Sequence, residues 1–253
     1  MPRKLAPRKL AIITGGARGI GRGCAHALAE KGLNIALVDL LPAEMDRTKA
    51  ELQAMGATVT CHEADVSDFA RAAAVIAEIM AAHGRIDVLV NNAGRGNPKG
   101  ITEITEDEFD RTIAVNLKSC FNYIHAAVPH IQAGGGGRIV SMSSLNAFSG
   151  GVTSAVSKFS YATAKAGILG MTRALAKELG PSIAINAICP GVIETELGNS
   201  LTKARGPELM KGIALGRLGT PQDVAQLVAF LATVEPNFIT GQSFVIDGFQ
   251  WVC

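Results

Sequence analysis

The chain has 253 residues, enough for one large domain or two small ones. Hydrophobic residues make up 48% and charged residues 18%, a balance that supports a large buried core. The net charge of +2 gives no basis for a nucleic-acid or acidic partner, and no apolar run approaches a membrane span.

Met1 to Lys9 is basic and lacks the long apolar core of a signal peptide, so Arg3, Lys4, Arg8 and Lys9 read as a solvated tail. From there, short apolar runs alternate with longer helical patterns. Leu10–Thr14 reads as a strand and Gly19–Lys31 as a helix; Asn34–Asp39 is a strand and Pro42–Met55 a helix. Thr58–His62 and Ile86–Val90 are strands flanking a Phe69–Ala82 helix, and Glu106–Ile131 is one long helical stretch. Gly134–Gly137 reads as a flexible turn into the strand Arg138–Met142. The helix Phe159–Leu179, the strand Ser182–Cys189, the helix Pro221–Thr233 and the strand Ser243–Ile246 complete the chain. The runs IALV and IDVLV do not alternate in polarity, which suits parallel strands buried on both faces. Strand–helix alternation predicts a Rossmann-type, doubly wound α/β sheet of about seven strands. No linker, repeat or low-complexity tract interrupts it, so residues 1–253 read as a single domain.

The five cysteines (Cys24, Cys61, Cys120, Cys189, Cys253) are odd in number, and no pair has metal or redox spacing. They read as reduced buried thiols of a cytoplasmic protein. The five histidines add no ligand pattern, and no metal is expected.

The first strand runs into TGGARGIG, Thr14 to Gly21, and then a helix. In that setting glycines let the backbone approach a pyrophosphate at a helix N-terminus, though the spacing Gly15, Gly19, Gly21 departs from G-x-G-x-x-G. Asp39 ends the second strand about 20 residues on, where an acid can accept hydrogen bonds from ribose hydroxyls or cap the next helix. Asp65-Val66, Asn91-Asn92-Ala93-Gly94, Ser143-Ser144 and Pro190-Gly191 each end a strand. Ligands of open α/β sheets bind at these carboxyl ends.

Tyr161 and Lys165 are four residues apart on a proline-free helical stretch, so they share one face. A phenol beside a fixed ammonium reads as a proton donor, because a cation favours the phenolate.

In combination and in this order, TGGARGIG, Asp39, Asp65, NNAG, Asn116, Ser144, Tyr161, Lys165 and PGVIET (Pro190 to Thr195) resemble a classical short-chain dehydrogenase/reductase. The resemblance spans about Leu10 to Gly248, and RLGTPQDVA (Arg217 to Ala225) resembles bacterial members close to the 3-oxoacyl-(acyl-carrier-protein) reductases. It implies that Tyr161 is the general acid/base and that Lys165 lowers its pKa and holds the nicotinamide ribose. Ser144 would bind the substrate oxygen and Asn116 a water. Gly15, Arg18, Gly19, Ile20 and Gly21 would form the phosphate turn. Asp65 and Val66 would flank adenine, Asn92, Ala93 and Gly94 the adenosine side, and Pro190, Gly191, Ile193 and Thr195 the nicotinamide. A substrate lid is expected at 196–219, and a homotetramer or homodimer is implied.

Two departures stand out. The serine–tyrosine gap, LNAFSGGVTSAVSKFS, is longer than the family's, so Ser143 or Ser144 could be the catalytic serine. Distance from Arg138 in GRIV selects Ser144. Arginines that carrier-protein reductases use for docking have no counterpart near Gly134–Gly137 or Pro181-Ser182. For the cofactor, Arg18 could pair with a 2′-phosphate while Asp39 would repel it. Like charges about 4 Å apart repel by about 4 kcal/mol at an effective dielectric near 20, against about 1 kcal/mol from an exposed arginine. NAD(H) is therefore expected over NADP(H). The substrate is expected to be a small-molecule or thioester carbonyl, of the 3-oxoacyl-thioester type. A polyol, sugar or cyclic-alcohol dehydrogenase is the alternative, and a non-catalytic dinucleotide sensor the rival class.

Overall fold

Seven strands are described: β1 (Leu10–Thr14), β2 (Asn34–Asp39), β3 (Val59–Glu63), β4 (Val88–Asn91), β5 (Gly137–Met142), β6 (Ile183–Pro190) and β7 (Ser243–Ile246). They come from a computed structural model that describes residues 8–151, 157–196 and 209–250. All neighbours pair in parallel, in the order β3-β2-β1-β4-β5-β6-β7. Both faces are apolar. Ala11 and Ile13 of β1 pack on one face, Leu10 and Ile12 on the other. The period of two is intact, but both sets of side chains meet a core, which is why the strands do not alternate in polarity.

Helices α1 (Gly19–Glu30) and α2 (Pro42–Ala54) cover the first face with Cys24, Leu28, Met45 and Leu52. Helix α3 (Phe69–His83) covers the other with Val75, Ile76 and Ile79. Asp68 caps α3 by accepting from the Arg71 amide at 3.0 Å, and Gly84 at φ 72° ends it. Side chain and backbone of Thr105 and Glu108 bond reciprocally to start α4 (Glu106–Ile113).

The long helical stretch expected at Glu106–Ile131 is present with a change of winding. After α4, Ala114–Lys118 is a π-helical turn, and α5 (Ser119–Ala133) continues the rod. Such a turn admits one extra residue, and here it carries Asn116, fully buried. A four-residue helix, α6 (Asn146–Ser149), was not expected within Leu145–Ser160; residues 152–156 of that loop lie outside the described residues. Helix α7 (Phe159–Leu179) matches its predicted range, as does α8 (Pro221–Thr233), which packs on α1. Contact is close there, since a Cβ at Gly23 would sit 3.1 Å from Pro221 Cβ. The strands Leu10–Thr14, Asn34–Asp39 and Ser243–Ile246 also match their predicted ranges, and where other predicted ends differ they do so by one or two residues. Of the predicted lid, 197–208 lies outside the described residues, and its far root is clamped by the Glu194 amide donating to Gly219 O at 2.8 Å.

The run Gly134–Gly137 begins as the expected turn, with nothing within 4 Å of a Cβ at Gly135, and its last two glycines serve close approach. A Cβ at Gly136 would lie 2.3 Å from Ser182 O, and one at Gly137 2.3 Å from Asp87 O. Burial pushes the Cys24 thiol up to about 12 and the Cys189 thiol to about 11. Cys120 is also buried, Cys61 is partly so, and Cys253 lies outside the described residues.

Gly137 has an ordinary φ, so its substitution tests contact rather than torsional strain. Gly137→Ala should destabilise the fold by about 2 kcal/mol and lower Tm by roughly 5 °C, measured by calorimetry. A Tm equal to wild type would show that the strand can shift to make room.

Candidate active site

The strand order reverses between β1 and β4, and a cleft of about 1110 Å³ opens there at the carboxyl ends of the strands. Every predicted site residue except Gly21 lines it. Gly21 lies beneath the turn instead: a Cβ there would sit 2.0 Å from Gly15 O, so this glycine closes the turn on α1. Gly15 has φ 63°, and its Cβ would meet Ala93 Cα at 2.9 Å. The two strand ends are stitched together at this point. The Asn92 carboxamide donates to Thr14 O at 3.1 Å and Gly15 O at 2.9 Å, while Thr14 Oγ1 accepts from the Asn92 and Ala93 amides at 3.0 and 3.1 Å.

At one end of the cleft, Asp39 accepts from the Ala17 amide at 3.0 Å and the Leu40 amide at 2.7 Å. It does not cap α2, whose N-cap is Leu41 without a side-chain bond. Both carboxylate oxygens are thereby fixed at the wall beside Arg18. Asp65 accepts from the Ser67 amide and hydroxyl and from Arg111 at 2.8 Å. Partial burial raises the Asp65 carboxyl, but these hydrogen bonds outweigh it and hold it below the usual carboxylate range. Arg111 was not singled out in the sequence, and a partner 46 residues away leaves no local signal.

The N-terminus of α1 already holds an anion. A Glu196 oxygen lies 3.3 Å from the Gly19 amide, and the other oxygen 3.2 Å from Arg22. A carboxylate here stands in for the negative group that exposed amides and a helix dipole favour. With glycines at 15 and 19 in the left-handed region, the turn therefore fits a dinucleotide's pyrophosphate.

At the other end, Lys165 is 3% exposed, and its ammonium donates to Met142 O at 2.7 Å. The same nitrogen lies 5.6 Å from the centroid of the Tyr161 ring. Asn116 Nδ2 donates to Arg95 O at 2.8 Å and Thr112 O at 2.9 Å, and its Oδ1 accepts from the Arg95 amide at 3.0 Å. Its carboxamide is thus committed to backbone and leaves no free donor for a water. A Cβ at Gly94 would fall 2.8 Å from Asn116 Oδ1 and 3.3 Å from Lys165 Nζ, so only glycine fits between them. The two serines separate cleanly. Ser143 is buried and donates to Lys165 O at 2.7 Å; Ser144 is partly exposed and, among the described residues, its side chain only accepts from the Asn146 amide at 3.2 Å. Ser144 therefore keeps its hydroxyl proton for a ligand. Pro190, Gly191, Ile193 and Thr195 continue β6 along the wall, braced by the Gly191 amide donating to Ile246 O at 3.0 Å.

A family model described as enoyl-(acyl carrier protein) reductase matches residues 15–248. The chain is 39% identical over 249 residues to oxidoreductase UcpA of Escherichia coli K12, covering 95% of this chain and 93% of the relative. It is 36% identical over 241 residues to the 3-oxoacyl-[acyl-carrier-protein] reductase FabG of Thermotoga maritima, covering 95% and 96%. The crystal structure of a short-chain dehydrogenase/reductase from Brucella melitensis, described as a glucose/ribitol dehydrogenase, superposes with TM-score 0.89 at 31% identity, covering 98% of each chain.

The serine geometry gives a paired test. Ser143→Ala should cost about 1 kcal/mol of stability, read as a Tm drop of roughly 3 °C. Ser144→Ala should leave Tm within about 1 °C and lower turnover about 100-fold. The reverse pattern would move the substrate-facing role to Ser143.

Proposed function

The chain belongs to the short-chain dehydrogenase/reductase family, an enzyme family that uses NAD(P)(H), and from that premise we propose that it interconverts a ketone and a secondary alcohol with NAD(H). The observation that carries the reading is the buried Lys165 ammonium, pinned to Met142 O beside Tyr161 in a cleft that Ser144 also lines.

The turn Gly15–Ile20, with Asp39, Asp65, Val66, Asn92 to Gly94, Pro190, Gly191, Ile193 and Thr195, would hold the dinucleotide. A nicotinamide supplies hydride in reduction and accepts it in oxidation. In reduction, Tyr161 Oη gives its proton to the carbonyl oxygen, and Ser144 Oγ donates a hydrogen bond to the same oxygen. Lys165 holds positive charge beside the Tyr161 ring, 5.6 Å from its centroid. In oxidation, the Tyr161 phenolate takes the proton back. Asn116 acts by position: it fixes the backbone of Arg95, which keeps Gly94 against the Lys165 ammonium.

The cofactor preference rests on Asp39. Its carboxylate is anchored by two amides and cannot swing away from a 2′-phosphate without losing both. The substrate class is read as 3-oxoacyl-thioester-like without need of an acidic carrier. Two observations support this: the likeness to the Thermotoga reductase, and a region at Gly134–Gly137 and Ser182 that offers glycine and serine, with Gly136 packed against Ser182 O, rather than long-reach cations. A sugar or polyol is the second reading, favoured by the likeness to the Brucella glucose/ribitol dehydrogenase. A homo-oligomer is also part of the reading, supported by exposed Phe121 on α5 and exposed Phe238 before β7.

Tyr161→Phe should lower kcat by about 1000-fold while NADH affinity, read by fluorescence titration, changes about twofold or less. Near-wild-type turnover in that variant would remove the phenol from the mechanism. Steady-state kinetics with both cofactors should show NADH preferred by about tenfold or more, given the repulsion at Asp39. A preference of that size for NADPH would mean that Arg18 outweighs it.

A further inference from the structure

Among the described cations lining the cleft, three are answered. Lys99 pairs with Glu108 at 2.5 Å, Arg111 with Asp65 at 2.8 Å, and Lys165 donates to Met142 O at 2.7 Å. Arg18 and Arg95 have no side-chain partner among the described residues. Arg18 lies on the phosphate turn, at the Asp39 end. Arg95 lies at the end where Lys165 and Tyr161 stand. Its amide donates to Asn116 at 3.0 Å and its carbonyl accepts from Asn116 at 2.8 Å, so a fully buried side chain holds its backbone from both sides. The next two residues pack against the approach to α7: a Cβ at Gly96 would lie 2.5 Å from Ser157 Oγ, and Asn97 O accepts from the Lys158 amide at 2.8 Å. The root of Arg95 is therefore rigid relative to both Lys165 and Tyr161, while its exposed side chain lines the cleft. Asp107 lines the cleft too and makes no ion pair with it.

The geometry points to Arg95 as a specificity-determining residue that receives an anionic group, carboxylate or phosphate, carried by the carbonyl substrate. A guanidinium stays protonated at any working pH, and its planar fork matches both oxyanions. The inference rests on the proposed ketone–alcohol chemistry and narrows its substrate to an anionic carbonyl compound. An uncharged sugar would leave this cation unanswered.

Three probes separate the possibilities: 3-oxobutanoate, its neutral methyl ester, and 3-oxobutanoyl phosphopantetheine, which places the charge on a phosphate. Each is assayed for turnover with NADH and titrated calorimetrically into the enzyme with NADH, for wild type, Arg95→Ala and Arg95→Lys. For at least one anionic probe, the ratio of its kcat/KM to that of the ester should fall about tenfold or more in Arg95→Ala, equal to about 1.4 kcal/mol, mainly through KM. Arg95→Lys should recover part of it. Whichever anionic probe responds identifies the source of the charge. If turnover occurs and both ratios are the same in wild type and Arg95→Ala, the inference is overturned while the ketone chemistry stands. If no probe turns over but an anionic one binds in an Arg95-dependent way, the inference stands and the proposed chemistry fails. Neither turnover nor Arg95-dependent binding would overturn both.

Discussion

The ammonium of Lys165 is almost fully removed from water, and a desolvated cation must find hydrogen-bond acceptors. It finds one in Met142 O, the last carbonyl of β5. That bond ties α7 to the sheet at the point where the strands end. The tie is doubled in the other direction, because Ser143 donates to Lys165 O. Two consecutive residues at the end of β5 are thus spent on holding Lys165. The third, Ser144, is left to face the cleft. The register of α7, the inward turn of Ser143 and the position of Tyr161 all follow from where this one charge is satisfied.

The glycines have a related logic. Gly15, Gly21 and Gly94 mark places where one backbone or side chain must approach another more closely than a Cβ allows. Gly94 is the most telling, because the two groups crowding it are Asn116 and Lys165. The π-helical turn belongs to the same arrangement. It departs from regular winding at a residue whose carboxamide makes three backbone hydrogen bonds, which offset the cost of leaving the α-helix.

Electrostatically the cleft is graded rather than uniform. Part of its lining is neutralised pair by pair, as with Asp65 and Arg111 or Lys99 and Glu108. Two cations, Arg18 beside the anchored Asp39 and Arg95 beside α7, keep no side-chain partner among the described residues. An overall charge of +2 conceals this pattern entirely, since recognition in a narrow cleft is set by local charges and not by their sum.

The sequence by itself determined the strand–helix alternation, the parallel sheet buried on both faces, and the pairing of Tyr161 with Lys165 on one helix face. These are local quantities: a polarity period, a helical repeat and a glycine-rich turn after a strand all act within a few residues. It also marked Asp39, Asn92 and Gly94 as strand-end residues, because strand ends are local too. Only the tertiary structure decided that Gly21 supports the turn from beneath, that Gly136 and Gly137 are close-packed, and that Ser143 faces inward while Ser144 does not. It alone joined Arg111 to Asp65 and Asn116 to Arg95. Those outcomes depend on which polar groups meet across the reversal of strand order. Partners separated by 21 or 46 residues compete through space for the same hydrogen bonds, and no periodicity in the chain records the winner.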